Sequence, residues 1–383
     1  MIKFNSKLPN VGQTIFTTIS ARANASGALN LGQGFPDFDG DKFLKERVCH
    51  YIEEGFNQYA PMTGVKELRD SIAKYFNIKY KHNINPDTEI TITSGATEAL
   101  TASILAFVKE GDEVLVFDPC YDSYVPAIDL AGGSAKRLNL VGEGFSLPFS
   151  KIEESINDKT KMIIINSPHN PTGARLTKAD WVKLAKLVEN KNIILLSDEV
   201  YEGICFDEEY HFNPRNLASL ADRLISVYSF GKSCHMTGWK VGYLVANPGL
   251  TLEVRKLHQY ITFSTFTAAQ MALADYLSEK VDNFLNLGDF YKEKRDFLVD
   301  GLKESRFKVL KPSSTYFCLL DYSNISKLND VDFCLKLIEE HGIATIPISV
   351  FYENAPVDQK IVRICFAKDQ ETLTRALDIL NAI

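Results

Sequence analysis

A lysine at the end of an apolar run is the first candidate for chemistry in this sequence. Lys232 follows the run LISVYSF (224–230), and Lys240 follows eight residues later within SFGKSCHMTGWKVGY (229–243). A run rich in Ile, Val, Tyr and Phe predicts a buried strand, so Lys232 should lie where α/β proteins bind ligands. Partial burial lowers the pKa of a lysine, and its neutral amine can condense with an aldehyde. A surface lysine that ends a strand is the alternative interpretation.

An acid follows a second apolar run. Asp198 comes directly after IILLS (193–197). Burying a carboxylate at a strand end is costly unless it meets a cation or a hydrogen-bond donor. Lys232 lies 34 residues further on, which is about the length of one crossover to a nearby strand, so both side chains can face one crevice. A purely structural ion pair between them remains the alternative.

Two further loops follow strand-like runs. The small residues SGATEAL (94–100) come after EITIT (89–93) and open a helical pattern, which suits a phosphate at a helix N-terminus; an ordinary capped helix is the alternative. The polar turn NSPHNPTG (166–173) follows KMIIIN (161–166), and an ordinary turn would also explain its composition. Phosphate cradle, buried acid and strand-end lysine together indicate pyridoxal 5′-phosphate (PLP), which carries a phosphate, a ring nitrogen and an aldehyde.

Composition restricts the class of partner. The chain has 383 residues and a formal net charge of −7, without a long basic run, so nucleic acid and anionic membranes are not expected partners. The N-terminal residues MIKFNSKLPNVGQ lack the apolar core of a signal peptide, and no run approaches the roughly 20 apolar residues of a membrane span, which predicts a cytoplasmic protein. Seven scattered cysteines without a C-x-x-C pair predict reduced thiols and no metal site.

The elements that must position these residues are alternating strands and helices. Seven β-rich runs between residues 89 and 246 predict a mostly parallel sheet with helices on both faces, and so an α/β fold. These runs are 89–93, 113–117, 135–140, 161–166, 193–197, 224–230 and 241–246. A second α+β stretch contains YFCLLDY (316–322) and IVRICFA (361–367). We expect residues 1–45 to form an N-terminal arm and part of a small domain, 46–285 a large domain, and 286–383 the rest of the small domain.

The order of the motifs resembles one family along nearly the whole chain. LGQGFPDF, NQYAPMTG, SGATEAL, DPCYDSY, SPHNPTG, SDEVY, SFGKSCHMTGWKVGY and IVRICFAK are similar to the class I/II aminotransferases of PLP fold type I. Within that family the chain most resembles the branch with bacterial methionine aminotransferases and kynurenine aminotransferase/glutamine transaminase K enzymes. Lys240 stands where most relatives carry arginine; it binds phosphate as a point charge without the fork geometry of arginine.

The resemblance implies roles for the residues around the cofactor. Lys232 would bond to the cofactor aldehyde and later act as the general base, and Asp198 would pair with the ring nitrogen. Tyr201 and Asn170 would hydrogen-bond the phenolic oxygen. Tyr121 would stack on the ring, although by sequence alone it is equally a core aromatic residue.

The phosphate and the substrate would be held by two further groups of residues. The phosphate group comprises Ser229, Lys240 and the backbone of Gly95, Ala96 and Thr97, with Tyr59 reaching in from the neighbouring subunit of a homodimer. Arg363 would clamp the substrate α-carboxylate with help from Gly34 and Asn170, a structural salt bridge being the alternative. Phe16 and Phe263 would line the side-chain pocket.

The function implied is a ping-pong transfer of an amino group from an amino acid to a 2-oxo acid. Methionine, phenylalanine, tyrosine, glutamine and kynurenine all suit an apolar or aromatic pocket, whereas no second arginine is evident for aspartate. A PLP-dependent β-lyase acting on cysteine S-conjugates, or an aminocyclopropane-type closure, would use the same lysine and acid. A non-enzymatic effector-binding domain is a remote alternative, and no G-x-G-x-x-G follows a strand to suggest a Rossmann enzyme.

Overall fold

Strands and helices alternate along most of the chain. The computed structural model describes residues 5–9, 11–206 and 211–383. Within these ranges the strands are β1 (Leu29–Asn30), β2 (Ile90–Thr93), β3 (Glu113–Asp118), β4 (Ser134–Asn139), β5 (Thr160–Asn166), β6 (Ile194–Asp198), β7 (Leu224–Ser229), β8 (Gly242–Ala246), β9 (Lys308–Leu310), β10 (Phe317–Asp321), β11 (Ile343–Ala344), β12 (Ile346–Pro347) and β13 (Ile361–Cys365).

The helices of the same ranges fall between these strands and at both ends. They are α1 (Ile15–Ser26), α2 (Lys42–Glu53), α3 (Lys66–Tyr80), α4 (Ala96–Phe107), α5 (Tyr124–Leu130), α6 (Phe149–Ser155), α7 (Lys178–Val188), α8 (Phe230–Ser233), α9 (Pro248–Ile261), α10 (Thr267–Glu279), α11 (Val281–Leu285), α12 (Leu287–Gly301), α13 (Asp330–His341) and α14 (Gln370–Asn381). Short 3-10 turns occur at Pro214–Asn216, Ala218–Leu220, Thr237–Trp239 and Ile348–Phe351.

A seven-stranded sheet forms the centre of the fold. Its strand order is β2-β8-β7-β6-β5-β3-β4, and β8 runs antiparallel to both of its neighbours while the other pairs are parallel. Each strand begins and ends within one residue of the run predicted from the sequence. The predicted mostly parallel α/β sheet is therefore confirmed.

Helices cover the central sheet on both faces. Ile163 and Leu195 pack with Trp181 of α7 on one face, whereas Ile164 and Leu196 pack with helix residues such as Leu100 of α4 on the other. Successive side chains of a strand point to opposite faces, so a strand buried on both sides must be apolar throughout. The continuous apolar runs in the sequence follow from this requirement.

The carboxyl ends of the parallel strands meet at one edge of the sheet. Asn166 is paired in register with Asp198, and Asp198 is paired with Val227 two residues before the end of β7. Helix α4 also begins at this edge, directly after β2 and the turn at Gly95. The polar residues that follow the strands are thereby brought to one crevice.

The two ends of the chain pack together beside this crevice. Strands β12, β13, β10 and β9 form a four-stranded antiparallel sheet, and β1 pairs in parallel with β11. Helix α1 contacts α13 and β11. The domain boundaries at residues 45/46 and 285/286 stay a prediction. No helix among the described residues has the length and apolar character needed to cross a membrane.

Candidate active site

A cavity of about 420 Å³ opens at the carboxyl edge of the central sheet. It is lined by thirteen of the fifteen residues singled out from the sequence. These are Phe16, Gly34, Gly95, Ala96, Thr97, Tyr121, Asn170, Asp198, Tyr201, Ser229, Lys232, Lys240 and Arg363. The volume is that of a small-molecule site with a few convergent polar groups.

The amine of Lys232 projects into this cavity from α8, the short helix after β7. Its Nζ donates a long hydrogen bond of 3.5 Å to the carbonyl of Gly34 and lies 5.5 Å from the ring centroid of Tyr201. Burial lowers the pKa of Lys232 to about 8, because the charged form loses its hydration. An appreciable fraction of the amine is therefore neutral near neutral pH, as a nucleophile or base requires.

The carboxyl group of Asp198 lies deep in the same cavity at the end of β6. It is 3% exposed, and it accepts a 2.6 Å hydrogen bond from the hydroxyl of Tyr124 and a 3.3 Å bond from the backbone N–H of Val200. Burial raises the pKa of Asp198 to about 6, and the hydrogen bond from Tyr124 opposes that rise. Both residues are described, and no ion pair within 4.0 Å joins Asp198 to Lys232. The carboxyl group can therefore receive another donor.

Arg363 is a buried cation whose partners are neutral. It is 2% exposed in β13, and it donates to Oδ1 of Asn170 at 2.8 Å and to the carbonyl of Gly32 at 3.0 Å. Its Nε is buried without a hydrogen-bond partner, and no described carboxylate lies within ion-pair distance. The structural salt bridge considered for Arg363 is thus not observed, and the guanidinium retains capacity for an anion.

Aromatic rings surround this guanidinium. Its central carbon lies 4.1 Å from the ring centroid of Phe317, 5.1 Å from that of Phe351 and 5.6 Å from that of Phe16. Such contacts favour a cation over a ring face and exclude water from it. Gly34 is also close: a Cβ placed there would lie 3.0 Å from the ring of Phe317, so a side chain would crowd the cavity.

The start of α4 and Lys240 form a second cationic corner. No side chain caps α4 at Gly95, whose φ of +79° is a conformation that favours glycine. A Cβ at Gly95 would lie 3.2 Å from Nζ of Lys240, and one at Gly242 would lie 2.8 Å from the amide nitrogen of Ala96. Glycines at both positions let the lysine and the free backbone N–H groups come together, which suits a phosphate.

Two tyrosines complete the wall between these corners. Tyr201 packs edge to face against Tyr316 at 5.2 Å and against Phe317 at 5.8 Å, and burial raises the pKa of its hydroxyl. Tyr121 packs edge to face against Tyr124 at 5.6 Å. Its hydroxyl pKa is also raised by burial, so both tyrosines act as neutral donors.

Tyr59 and Phe263 are the two predicted residues that do not line the cavity of their own chain. Their rings contact each other at 5.3 Å, and Tyr59 is 82% exposed. Phe263 has a φ of +69°, which is uncommon for a bulky residue. Tyr260 and Phe266 are exposed nearby in the chain. We refer to Tyr59, Tyr260, Phe263 and Phe266 as the aromatic surface.

Some residues that line the cavity or bond to its lining residues were missed by sequence reasoning. Tyr124 donates to Asp198, and the hydroxyl of Tyr316 donates to the carbonyl of Gly34 at 2.8 Å. Tyr124 lies within the motif DPCYDSY, three residues after Tyr121 and at the start of α5, so the motif could have identified it as a site residue. Phe351 belongs to a 3-10 turn without periodicity, and no local signal marks it. Asp122 lines the cavity beside Tyr121 and was also overlooked.

The donor set fits PLP. The uncapped start of α4 with Lys240 suits the phosphate, the buried Asp198 suits a protonated ring nitrogen, and the Lys232 amine suits the aldehyde. The orphaned Nε of Arg363 leaves a separate place for a carboxylate in the same cavity. Among the described ranges, no group of three or more His, Cys, Asp or Glu side chains could hold a metal ion.

Known proteins resemble the chain along its full length. The family model "Aminotransferase class I and II" matches residues 26–380. The methionine aminotransferase of Escherichia coli (strain K12) is 48% identical over 99% of this chain and 98% of its own length. A kynurenine–oxoglutarate transaminase of Dictyostelium discoideum is 33% identical over 99% and 96%. The crystal structure of Escherichia coli YbdL, identified as having a methionine aminotransferase function, superposes with a TM-score of 0.98 at 47% identity and covers 100% of both chains.

The lowered pKa of Lys232 has a consequence for stability that can be measured. Below pH 8 the folded chain buries a charged amine. Between pH 8 and the ordinary pKa of 10.5, the amine is neutral in the folded state and charged in the unfolded state. The unfolded state then binds more protons, so the free energy of unfolding rises with pH over this range. Without bound cofactor, Lys232→Met should therefore be more stable than the parent at pH 7 by about 1–3 kcal/mol, and this gain should decline towards pH 10. Urea unfolding at each pH measures it.

Lys42 is exposed, and Lys42→Met is the matched control, because it makes the same substitution but removes a positive charge from the surface. A stability difference for Lys232→Met that stays constant from pH 7 to pH 10 would contradict the assignment of a lowered pKa.

Proposed function

The chain belongs to the class I and II aminotransferases, and from that premise we propose that it moves the α-amino group of methionine and other apolar or aromatic amino acids to a 2-oxo acid. The observation that carries the proposal is the buried Arg363, which has no anionic partner and shares a cavity with the amine of Lys232. A carboxylate on the guanidinium would place the neighbouring α-carbon in the cavity that Lys232 lines.

The cofactor of this family is PLP, and separate residues would hold its phosphate, its ring nitrogen and its phenolic oxygen. When bound, it supplies an aldehyde that takes up the amino group and a protonated ring that withdraws electrons from the α-carbon. Lys240, Ser229 and the start of α4 would bind its phosphate. Asp198 would keep the ring nitrogen protonated, because a cation beside a buried carboxylate lowers the pKa of that carboxylate. Tyr201 would donate a hydrogen bond to the phenolic oxygen.

Arg363 would orient the substrate. Its guanidinium can hold a carboxylate through two parallel hydrogen bonds, with Asn170 beside them. The rings of Phe317 and Phe351 exclude water from this contact and so strengthen it. The backbone of Gly34 lies close enough to take part, because no side chain intervenes.

Lys232 would move the proton. Once its nitrogen is free, the amine can take the α-proton as a general base, and the same ammonium can return it at another atom. Its pKa of about 8 suits both directions near neutral pH, since neither form is strongly disfavoured. The hydrogen bond to the Gly34 carbonyl and the ring of Tyr201 fix the direction of the amine.

The walls of the cavity support an apolar side chain in the substrate. Phe16, Phe351 and Leu100 line it, and its cationic residues are Lys232, Lys240 and Arg363, each of which already has a proposed partner. A carboxyl group, that of Asp122, lies in the same wall and would oppose a second carboxylate on the substrate. The similarity to the methionine aminotransferase of Escherichia coli supports methionine within this class.

We also infer a cytoplasmic homodimer with shared active sites. The aromatic surface supports an interface, because Tyr59, Tyr260 and Phe266 are exposed and exposed aromatic side chains are typical of protein contacts; the half-buried Phe263 packs against Tyr59. Tyr59 of the partner subunit would then reach the phosphate, and Phe263 of the partner subunit the side-chain pocket. All seven cysteines are free, which supports a reducing compartment.

A panel of amino donors and 2-oxo acid acceptors on the purified holoenzyme tests the proposed reaction. We expect kcat/KM for methionine to exceed that for aspartate by about 100-fold, because a second carboxylate would lack a cationic partner in the apolar pocket. Phenylalanine and kynurenine should also be donors. Pyruvate and ammonia released from a cysteine S-conjugate without an acceptor would reveal a β-lyase, and aspartate far above methionine would refute the substrate class.

Mixing two impaired variants tests whether the sites are shared. Lys232→Ala should be inactive, and Tyr59→Ala should bind the cofactor poorly. If Tyr59 acts across the interface, a hybrid dimer of the two has one intact site, so an equimolar mixture refolded together should regain about a quarter of the parent activity. Lys232→Ala refolded with the exposed-surface variant Val357→Ala shows the activity given by random pairing alone. A mixture no more active than Tyr59→Ala alone would place Tyr59 outside the partner's site.

A further inference from the structure

A buried ion pair stands behind the cavity and has no part in the proposed chemistry. Asp118 ends β3, and Arg137 lies in the neighbouring β4. Nε of Arg137 donates to Oδ1 and Oδ2 of Asp118 at 2.8 Å and 3.0 Å, and a terminal nitrogen reaches Oδ1 at 2.6 Å. Asp118 is 1% exposed. A buried pair gives little net stability by itself unless it satisfies further hydrogen bonds.

Further hydrogen bonds of the pair hold one short segment, residues 351–353. Arg137 donates to the carbonyl of Phe351 at 3.1 Å, and the backbone N–H of Cys120 donates to the same carbonyl at 2.8 Å. The backbone N–H of Glu353 donates to Oδ2 of Asp118 at 2.8 Å. Hydrogen bonds therefore hold the segment at the carbonyl of Phe351 and at the backbone N–H of Glu353.

The segment depends on these bonds because it belongs to no strand or α-helix. It closes the 3-10 turn Ile348–Phe351 between β12 and β13. On the other side of the turn, Asp330 accepts hydrogen bonds from the backbone N–H and the hydroxyl of Ser349 at 2.7 Å and 2.8 Å. Side chains thus fix a backbone that has no ladder of its own.

The side chain carried by this segment is a wall of the cavity. The ring of Phe351 is 2% exposed, lies 5.1 Å from the guanidinium carbon of Arg363 and packs edge to face against Phe16 at 5.6 Å. A shift of the Phe351 backbone would move the ring relative to both neighbours. The gap between the ring and the guanidinium would change with it.

We propose that the Asp118–Arg137 pair is a positioning element that fixes Phe351 and thereby sets the enzyme's preference for large apolar amino donors. The inference rests on the proposed function and adds residues that do not touch the substrate. A bidentate pair suits this task because its planar geometry fixes direction as well as distance. Alanine shares the carboxylate contact with Arg363 but has no long side chain to pack against Phe351, so loss of the pair should affect alanine less than methionine.

A purely structural pair would behave differently. Its loss would lower stability and reduce the activity towards every donor by a similar factor. Loss of a positioning element should raise KM for methionine and phenylalanine while kcat for alanine and the visible spectrum of the bound cofactor stay unchanged. The split between donors is the readout that a structural role does not produce.

The experiment compares variants of the holoenzyme. Arg137→Met removes the cation, Arg137→Lys keeps the charge with fewer donors, and Asp118→Asn/Arg137→Met removes both charges so that no unpaired carboxylate stays buried. Arg22→Met, in an exposed pair with Glu339, is the matched control. We expect KM for methionine to rise about 10-fold in Arg137→Met and in the double variant, and to rise less in Arg137→Lys. KM for alanine should change by about 2-fold or less in each variant.

A double-mutant cycle with Phe351→Ala links the pair to the ring. The variant that combines Phe351→Ala with Arg137→Met should have a KM for methionine only slightly above that of either single variant, because both changes act through the same wall of the cavity. Multiplying effects, or equal effects on methionine, phenylalanine and alanine, would overturn the inference. A parent enzyme that does not accept methionine at all would instead overturn the proposed function, so the two failures are distinguishable.

Discussion

A buried guanidinium with only neutral partners is the constraint on which the site depends. Removing Arg363 from water costs free energy that hydrogen bonds to Asn170 and Gly32 repay only in part, and its Nε is left unpaired. The aromatic rings around it keep water away and so preserve the need for an anion. Arg363 therefore retains the capacity to bind a carboxylate in the cavity, and the proposed roles of the other charged groups depend on that contact.

The sheet supplies the second requirement, which is to bring opposite charges to one crevice without letting them neutralise each other. Parallel strands end at the same edge, so Asp198 and Lys232 follow neighbouring strands and face one cavity. Tyr124 satisfies Asp198 in place of Lys232. Burial then raises the pKa of the acid and lowers that of the amine, which keeps both groups available to a ligand.

The positions of residues that directly follow a strand could be predicted from the sequence. Asp198 and Lys232 could be located because apolar runs mark the strands and the next residues must lie at the sheet's edge. Phe351 could not be, since its place depends on long-range bonds to β3 and β4 that no local pattern encodes. Phe263 lies outside its own chain's cavity, so its predicted place in a side-chain pocket requires the proposed dimer.

Lys232 is the amine that we expect to bond to the cofactor. Reduction of the PLP-loaded protein with borohydride converts that bond to a stable secondary amine, and mass spectrometry of the digested protein then locates the added phosphopyridoxyl mass. We expect the added mass on the peptide that contains Lys232, with Lys240 unmodified. Added mass on Lys240 or on a surface lysine, with Lys232 unmodified, would contradict it.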